Sequence, residues 1–263
     1  MPPQEFLETI NNCRIPAFRY FESTESTNQI ANEWLLDGAP DGAVVFADHQ
    51  SAGRGRMDRR WVTQPGSAIA VSLIVHPTAA ETEKLSLFSP LAGLALAEML
   101  NSQFRLNAQI KWPNDVLIDR KKTAGILTEA SWSGVEVKGL VVGVGINVLP
   151  GAIPSAETLQ FPATCVQNHV TTPLNRFQLL QEFLLSFQMW RGRLLTPDFK
   201  NRWEKTLAFY GETVYIKENN GTIQLSGTLI GITDQGDLIL QTQNQSIQTI
   251  TVGDVHLRPA ESQ

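Results

Sequence analysis

Two arginines alternate with glycines in the segment GRGR at residues 53–56. Glycine lets a backbone approach a phosphate closely, and arginine holds phosphate oxygens with paired N–H donors. Arg59 and Arg60 add positive charge just before Trp61. The spacing therefore predicts an anion-binding loop, although a solvated basic turn or an RNA-contacting segment would carry the same residues.

Further residues that could do chemistry lie between 111 and 147. The segment KWPND at 111–115 groups a cation, an amide and a carboxylate around a proline. Taken singly, these residues have structural explanations, with Trp112 in the core and the Asn-Asp pair in a turn. Lys121 and Lys122 precede the apolar run AGIL, so one ammonium can enter a pocket at the start of a buried strand; two exposed turn lysines are the common alternative. The segment GVGIN at 143–147 has only two of the glycines of a dinucleotide motif.

The spacing of apolar residues indicates which elements hold these clusters. Ser26 and Gln29 form a capping-box pattern, which predicts a helix that starts at Ser26 and ends before Gly38. Helical spacing predicts a long helix over 82–103 and a helical pair over 175–208. Apolar runs predict buried strands at residues 43–47, 67–75, 116–118 and 140–148.

The chain changes character twice in its second half. Residues 149–173 contain four prolines and show little periodicity, which predicts a mobile surface loop. After Gly211, short strand-like runs alternate with the turn signals Asn220-Gly221 and Gln235-Gly236. We therefore expect a large domain over 1–210 and a small all-β domain over 211–263.

Composition excludes a chain that is mostly disordered, fibrous or membrane-spanning. The 42% hydrophobic and 18% charged content is typical of a globular enzyme, and a formal charge of -5 does not favour nucleic acid as a partner. The two cysteines and four histidines show no metal-ligand spacing, which favours buried or idle thiols and no structural metal. The N-terminus lacks the features of a signal peptide and no stretch suits a membrane span, so we expect a cytoplasmic location.

The ordered segments STN, GRGR with R-x-W, KWPND, K-x-A-G-I-L-x-E, GVGIN and GDVHLR resemble the biotin protein ligase family from Ser26 to Pro259. The resemblance implies an α+β fold with a mixed sheet flanked by helices, related to class II aminoacyl-tRNA synthetases, and a C-terminal SH3-like β-barrel. It implies ATP-dependent ligation of biotin to a lysine of a biotin carboxyl carrier protein through biotinyl-5'-AMP. A lipoate protein ligase on a similar core is the alternative.

The resemblance also implies roles for particular residues. Lys122, Arg56 and Arg54 would be catalytic. The residues expected to bind biotin are Ser26, Thr27, Asn28, Gln50, Gly53, Arg54, Gly55, Arg56, Lys122 and Gly125. The residues expected on the nucleotide side are Trp61, Lys111, Asn114, Asp115 and Asn147. Mg²⁺ would accompany ATP, with Asp115 as a candidate ligand and also a candidate base for the attack by the acceptor lysine.

Hydrogen-bonding capacity separates biotin from lipoate. The ureido ring of biotin has two N–H donors and a carbonyl acceptor, which the side chains of the STN segment and Gln50 can satisfy. The dithiolane of lipoate lacks these groups. A site with buried polar partners rejects such an analogue, so we expect biotin as the substrate.

Two departures from the family pattern bear on function. Asp58 stands where the family commonly has a glycine, which affects the geometry of the arginine loop. Some members carry an N-terminal DNA-binding domain, whereas only about 20 residues precede Phe21 here. We therefore expect no DNA-binding role and no membrane partner; a homodimer is compatible with the sequence.

Overall fold

The structure is a computed structural model, and it describes residues 1–56, 59–62, 64–155, 161–217, 223–251 and 256–259. The helices are α1 (Gln4–Asn12), α2 (Thr27–Leu36), α3 (Ala79–Thr82), α4 (Phe88–Phe104), α5 (Arg176–Arg191) and α6 (Pro197–Thr206). The first nine strands are β1 (Phe18–Phe21), β2 (Val44–Ala47), β3 (Gly53–Arg54), β4 (Arg60–Trp61), β5 (Ala68–Val75), β6 (Ala108–Lys111), β7 (Asp115–Ile118), β8 (Lys121–Ser133) and β9 (Glu136–Asn147). The last five are β10 (Thr213–Lys217), β11 (Ile223–Ile232), β12 (Leu238–Gln241), β13 (Ile247–Ile250) and β14 (His256–Pro259).

A seven-stranded mixed sheet forms the larger part of the molecule, in the order β1-β2-β5-β9-β8-β7-β6. Strands β1 and β2 are parallel, whereas the other neighbouring pairs are antiparallel. All eight residues of β5 are buried, because helices cover both faces of the sheet. Helix α2 packs on one face against Val45, Ile74 and Val141, and α4 packs on the other within the main core.

The strand predictions in this sheet are confirmed to within a few residues. The predicted runs at 43–47, 67–75, 116–118 and 140–148 correspond to β2, β5, β7 and β9. Helices α5 and α6 confirm the predicted pair. Helix α1 and strands β1 and β6 were not predicted.

Helix α2 starts where it was predicted but lacks the predicted capping bonds, and helix α4 starts later than predicted. Helix α2 does begin after Ser26, but the Ser26 side chain makes no capping bond in the described structure, and the Gln29 amide instead donates to Glu33 at 3.2 Å. The long helix begins at Phe88 rather than near 82, because a short helix and a 3₁₀ turn precede it and Pro90 lies in its first turn. The capping-box prediction is therefore wrong at this position, and the box forms at Thr78 and Glu81.

The region from 149 to 173 contains short ordered turns in its described part. Residues Pro150–Ala152 and Val166–His169 form 3₁₀ turns, and Ala152 and Cys165 are buried. Cys13 is also buried, and both thiols are free, as the composition predicted.

Strands β10 to β14 form a separate antiparallel sheet in the order β13-β12-β11-β10-β14, which confirms a small β domain after Gly211. The turn predicted at Gln235-Gly236 is present, with Gly236 at φ +87°. The turn predicted at Asn220-Gly221 lies outside the described residues, and the boundary at 210/211 stays a prediction. The indole N–H of Trp112 donates to the Gly236 carbonyl at 3.0 Å and joins this sheet to the larger part of the molecule.

Across the described ranges, no helix has both the length and the apolar character needed to cross a membrane.

Candidate active site

A cleft of about 150 Å³ lies where β8 and β9 meet the start of α2, the β3–β4 loop and the KWPND segment. Its lining from these elements is Ser26, Thr27, Asn28, Gln50, Arg54, Gly55, Arg56, Arg59, Arg60, Trp61, Ala70, Lys111, Pro113, Asn114, Asp115, Lys122, Gly125, Ile126, Leu127, Gly143, Val144 and Gly145. The cleft therefore brings together segments that are up to 119 positions apart in the chain, counted from the difference between 145 and 26.

One end of the cleft is a network of buried polar side chains at the start of α2. Gln50 Oε1 accepts from the Thr27 backbone N–H at 2.7 Å and from the Thr27 hydroxyl at 3.0 Å. The Ser72 hydroxyl lies 2.8 Å from Thr27 Oγ1 and 2.7 Å from Asn28 Oδ1. Because these groups fix one another before any ligand is present, this end is preorganised to recognise a neutral polar group.

Glycines on β9 make room for two cleft side chains. A Cβ atom at Gly143 would stand 2.0 Å from Asn28 Oδ1, and one at Gly145 would stand 2.4 Å from Trp61 Cε2. A side chain at either position would therefore force Asn28 or Trp61 to move. The glycines of GVGIN thus serve the close approach of Asn28 and Trp61 to the sheet, rather than the tight phosphate turn of a dinucleotide motif.

The other end of the cleft is built around a buried carboxylate between two lysines. Lys122 Nζ lies 2.6 Å from Asp115 Oδ1, and Lys111 Nζ lies 3.7 Å from Asp115 Oδ2. Burial raises the pKa of Asp115, but the Lys122 ammonium and then that of Lys111 outweigh burial and hold the pKa below its usual range. Asp115 is therefore ionised at neutral pH and holds both ammonium groups in place.

A β-bulge brings Lys122 to this carboxylate. In the pairing of β7 with β8, Leu117 lies opposite Lys122 and Val116 lies opposite Ala124, so Thr123 has no partner position. Regular alternation would send Lys122 and Gly125 to opposite faces of the sheet. With the extra residue they share a face, and a Cβ atom at Gly125 would lie 3.2 Å from Lys122 Nζ.

The backbone of Lys122 is held by the segment that follows residue 160. The Lys122 N–H donates to the Pro162 carbonyl at 2.7 Å, and the Thr164 N–H donates to the Lys122 carbonyl at 2.9 Å. The Asn147 side chain in turn donates to the Thr164 carbonyl at 3.0 Å. The described structure thus places Asn147 behind the cleft, where it fixes the support of Lys122.

The predicted site residues mostly come together. Of the fifteen, the cleft is lined by all except Gly53 and Asn147. Gly53 lies behind the loop, where a Cβ atom would stand 2.5 Å from the Trp61 carbonyl oxygen. The Asn114 amide lines the cleft but is bonded to the Ile126 carbonyl at 2.8 Å, so it also fixes the KWPND turn to β8.

Sequence reasoning missed several residues of the site. Ser72 belongs to the polar network although it sits inside an apolar strand, and Glu129 contacts both Asn28 of that network and Arg54. Gly143 and Gly145 were read only as a weak nucleotide motif, while Arg59 and Arg60 were noted as charge but not assigned. The effect of Asp58 on the arginine loop lies outside the described residues.

Net charge in the cleft is strongly positive, in contrast to that of the whole chain. The described lining contains one carboxylate, Asp115, against the cations Arg54, Arg56, Arg59, Arg60, Lys111 and Lys122. A cleft with this field concentrates anions. Combined with the polar end, it defines a site for a substrate that has a neutral polar head and an anionic tail.

The chain is similar to ligases in sequence. Residues 20–147 match the biotin/lipoate A/B protein ligase family, and residues 209–258 match the biotin protein ligase C-terminal domain. The chain is 35% identical to the bifunctional ligase/repressor BirA of Bacillus subtilis, covering 90% of this chain and 73% of that protein. It is also 35% identical to the biotin--[acetyl-CoA-carboxylase] ligase of Paracoccus denitrificans, covering 83% and 91%.

Solved structures agree with the sequence matches. The biotin protein ligase of Aquifex aeolicus in complex with biotin and ATP superposes with a TM-score of 0.79 at 27% identity, covering 93% of this chain and 100% of that one. The Leishmania major biotin protein ligase in complex with biotinyl-5-AMP, at 19% identity, shares the fold with a TM-score of 0.57 and covers 90% and 99%. The chain belongs to the biotin protein ligase family.

Proposed function

We propose that the cleft joins biotin to AMP and then passes the biotinyl group to a lysine of a biotin carboxyl carrier protein. In the first step a biotin carboxylate oxygen attacks the α-phosphorus of ATP, and pyrophosphate leaves. In the second step the lysine amine attacks the acyl carbon, AMP leaves and the amine loses a proton. The observation that carries this proposal is the meeting, in one cleft, of a polar recognition end and a cationic end.

The cationic end addresses the main obstacle of the first step, which is the repulsion between two anions. Arg54, Arg56 and Lys122 line the cleft and can neutralise the carboxylate, the α-phosphate and the charge that develops between them. Loss of one such preorganised group costs roughly 100-fold to 1,000-fold in rate. We assign these three residues to catalysis.

Asp115 has a supporting role in this scheme. Its pKa is held low by Lys122 and Lys111, so it is a poor proton acceptor as long as both lysines are in place. It fixes the Lys122 ammonium at 2.6 Å and thereby sets where the charge stands. We therefore assign Asp115 to the placement of Lys122 rather than to proton removal from the acceptor lysine.

The polar end of the cleft determines whether biotin or lipoate binds. Thr27, Asn28 and Gln50 offer hydrogen-bond donors and acceptors of the kind that the ureido ring of biotin requires, and Ser26 lies beside them. A lipoate dithiolane has no N–H or carbonyl group to bond with them, and each hydrogen bond that is not made forfeits about 0.5–1.5 kcal/mol. The site therefore favours biotin over lipoate.

On the nucleotide side we assign Trp61, Lys111, Asn114 and Asp115, as the family pattern implies. Trp61 Nε1 is buried and has no acceptor among the described residues, so a bound ligand can supply one. In the described part of the chain, no group of three or more His, Cys, Asp or Glu side chains could hold a metal ion. Asp115 is already engaged by two lysines, so the residues present do not fit a protein-held Mg²⁺, and the ion would enter as part of the Mg–ATP substrate.

The experiment that tests the proposal is biotin-dependent exchange of labelled pyrophosphate into ATP. We expect exchange with biotin and none above background with lipoate at the same concentration. Transfer is checked separately, by mass spectrometry of a carrier domain after incubation with biotin and ATP. A folded protein that exchanges pyrophosphate only with lipoate, or with neither acid, would overturn the proposal.

A further inference from the structure

Glu129 is an acidic residue that contacts both Asn28, in the polar end of the cleft, and Arg54, on the arginine loop. It lies on β8, and its Oε2 atom accepts from Asn28 Nδ2 at 2.7 Å and lies 3.3 Å from Arg54 Nη2. A carboxylate this close to a cleft for two anions opposes their binding. We therefore expect Glu129 to make a favourable contribution to the site that offsets this repulsion.

The contact with Asn28 determines which way the amide points. Asn28 Nδ2 carries two hydrogens, and the described acceptors for them are Glu129 Oε2 and the Leu127 carbonyl at 3.1 Å. The amide oxygen is thereby turned towards Ser72 and Gly143. Without Glu129, the amide could rotate by half a turn, which would exchange an acceptor for a donor at a site that must match a ureido ring.

The contact with Arg54 places the arginine loop beside the same amide. Arg54 and Asn28 share one carboxylate oxygen, so movement of Glu129 disturbs both. Asn28 is 4% exposed, whereas the Arg54 side chain is 48% exposed. A charge-assisted bond to a buried amide is the stronger of the two because solvent screens the exposed pair.

We propose that Glu129 is a positioning residue that fixes the Asn28 amide for recognition of the ureido ring and restrains Arg54 at the same end of the cleft. This inference rests on the proposed function and goes beyond it by assigning biotin selectivity to a residue that does not line the cleft. In biotin recognition Glu129 acts through Asn28, and it does not itself touch the reacting groups.

The direction in which Glu129→Ala changes the KM for biotin distinguishes a positioning role from a simple effect of charge. If Glu129 were only a nearby negative charge, Glu129→Ala would lower the KM for both biotin and ATP, because both are anions. If Glu129 positions Asn28, the same change raises the KM for biotin about 10-fold, with the KM for ATP within about twofold. Glu129→Gln keeps an oxygen that can accept from Asn28, so its effect is at most about threefold.

The test is steady-state pyrophosphate exchange with Glu129→Ala, Glu129→Gln and the control Glu136→Gln. Glu136 is an exposed acid on the neighbouring strand, paired with Lys138 at 2.8 Å, and its loss changes net charge equally without touching the cleft. We expect the control to match the parent protein. Isothermal titration with biotin alone reports the same ranking as Kd values.

A double-variant cycle completes the test. If Glu129 acts through Asn28, adding Glu129→Ala to Asn28→Ala raises the biotin Kd no further. Additive effects, an unchanged KM for biotin, or equal increases for biotin and ATP together with a lowered melting temperature would overturn the inference. Failure of the proposed function is distinguishable, because the parent protein itself would then show no biotin-dependent exchange.

Discussion

A single methyl group at Gly143 should weaken biotin binding while leaving the nucleotide half of the cleft intact. The added Cβ atom would stand 2.0 Å from Asn28 Oδ1 and 2.7 Å from Asn28 Cγ, whereas carbon atoms in favourable contact are about 3.5–4.0 Å apart. The amide must therefore move by more than 1 Å, which breaks its bonds to Leu127 and Glu129. Each buried polar group left unpaired costs about 1–3 kcal/mol.

We expect the biotin Kd of Gly143→Ala to rise roughly 5-fold to 150-fold, the equivalent of one such loss. Isothermal titration measures this Kd directly, and ATP binding by the same variant should change by less than about twofold. Gly192→Ala is the matched control, since Gly192 ends α5 with φ -61° and the nearest atom to its added Cβ is 3.4 Å away.

Asn28→Ala removes the same amide without introducing a clash, so it covers the case in which Gly143→Ala does not fold. An unchanged biotin Kd in both variants, each with the melting temperature of the parent protein, would refute this account of the polar end.

Three further predictions concern charge and the join to the small sheet. Lys122→Ala should lower the rate of pyrophosphate exchange roughly 100-fold to 1,000-fold, whereas the exposed neighbour variant Lys121→Ala should stay within about threefold of the parent rate; comparable losses in both would contradict the assignment of Lys122. Burial raises the pKa of Glu81, but its bonds from Arg191 and the Thr78 backbone lower the pKa overall. Ionised Glu81 therefore stabilises the fold above about pH 5, and this contribution is lost as the pH falls through its lowered pKa. Chemical unfolding should accordingly show a loss of about 1.5–3 kcal/mol for Glu81→Gln at pH 7 and a shallower acid limb; an acid limb equal to that of the parent would contradict the pairing. Trp112→Phe removes the indole donor to the small sheet and should lower stability by about 1–3 kcal/mol in the same assay; an unchanged unfolding midpoint would show that the bond contributes nothing.

Most of the sheet was predictable because its strands are buried and carry a local signal. Runs such as AIAVSLIV in β5 are apolar throughout, so burial can be read from the sequence alone. Strand β6 was missed because AQIK is short and mixed, and it becomes a strand through pairing with β7. The start of α4 was predicted too early. Proline is tolerated in the first turn of a helix, but the apolar spacing begins before Pro90 and does not show that the helix starts only at Phe88.

The site was predictable as a set of motifs but not as a geometry. The resemblance identified the segments that line the cleft, since each is continuous in the chain. Contacts between segments could not be predicted from the residues around either partner. Nothing in the sequence near Asn28 indicates that its side chain occupies the space that a side chain at Gly143 would need. The contribution of Glu129 was hidden for the same reason, because its two partners lie 101 and 75 positions away.

The bulge at Thr123 makes the irregular pairing of strand β8, rather than the chemistry of the threonine, the feature that keeps Lys122 on the cleft side of the sheet. Thr123 is fully buried and its hydroxyl has no partner among the described residues, so the threonine itself holds nothing in place by hydrogen bonding. The bulge takes this one residue out of the alternation of the strand, so Lys122 lies on the same face of the sheet as Gly125. If the pairing shifted so that Thr123 took a regular position opposite β7, the Lys122 ammonium would turn to the other face of the sheet, away from Asp115, although every side chain of the site would still be present. Deletion of Thr123 would instead leave a regular ladder with Lys122 still opposite Leu117.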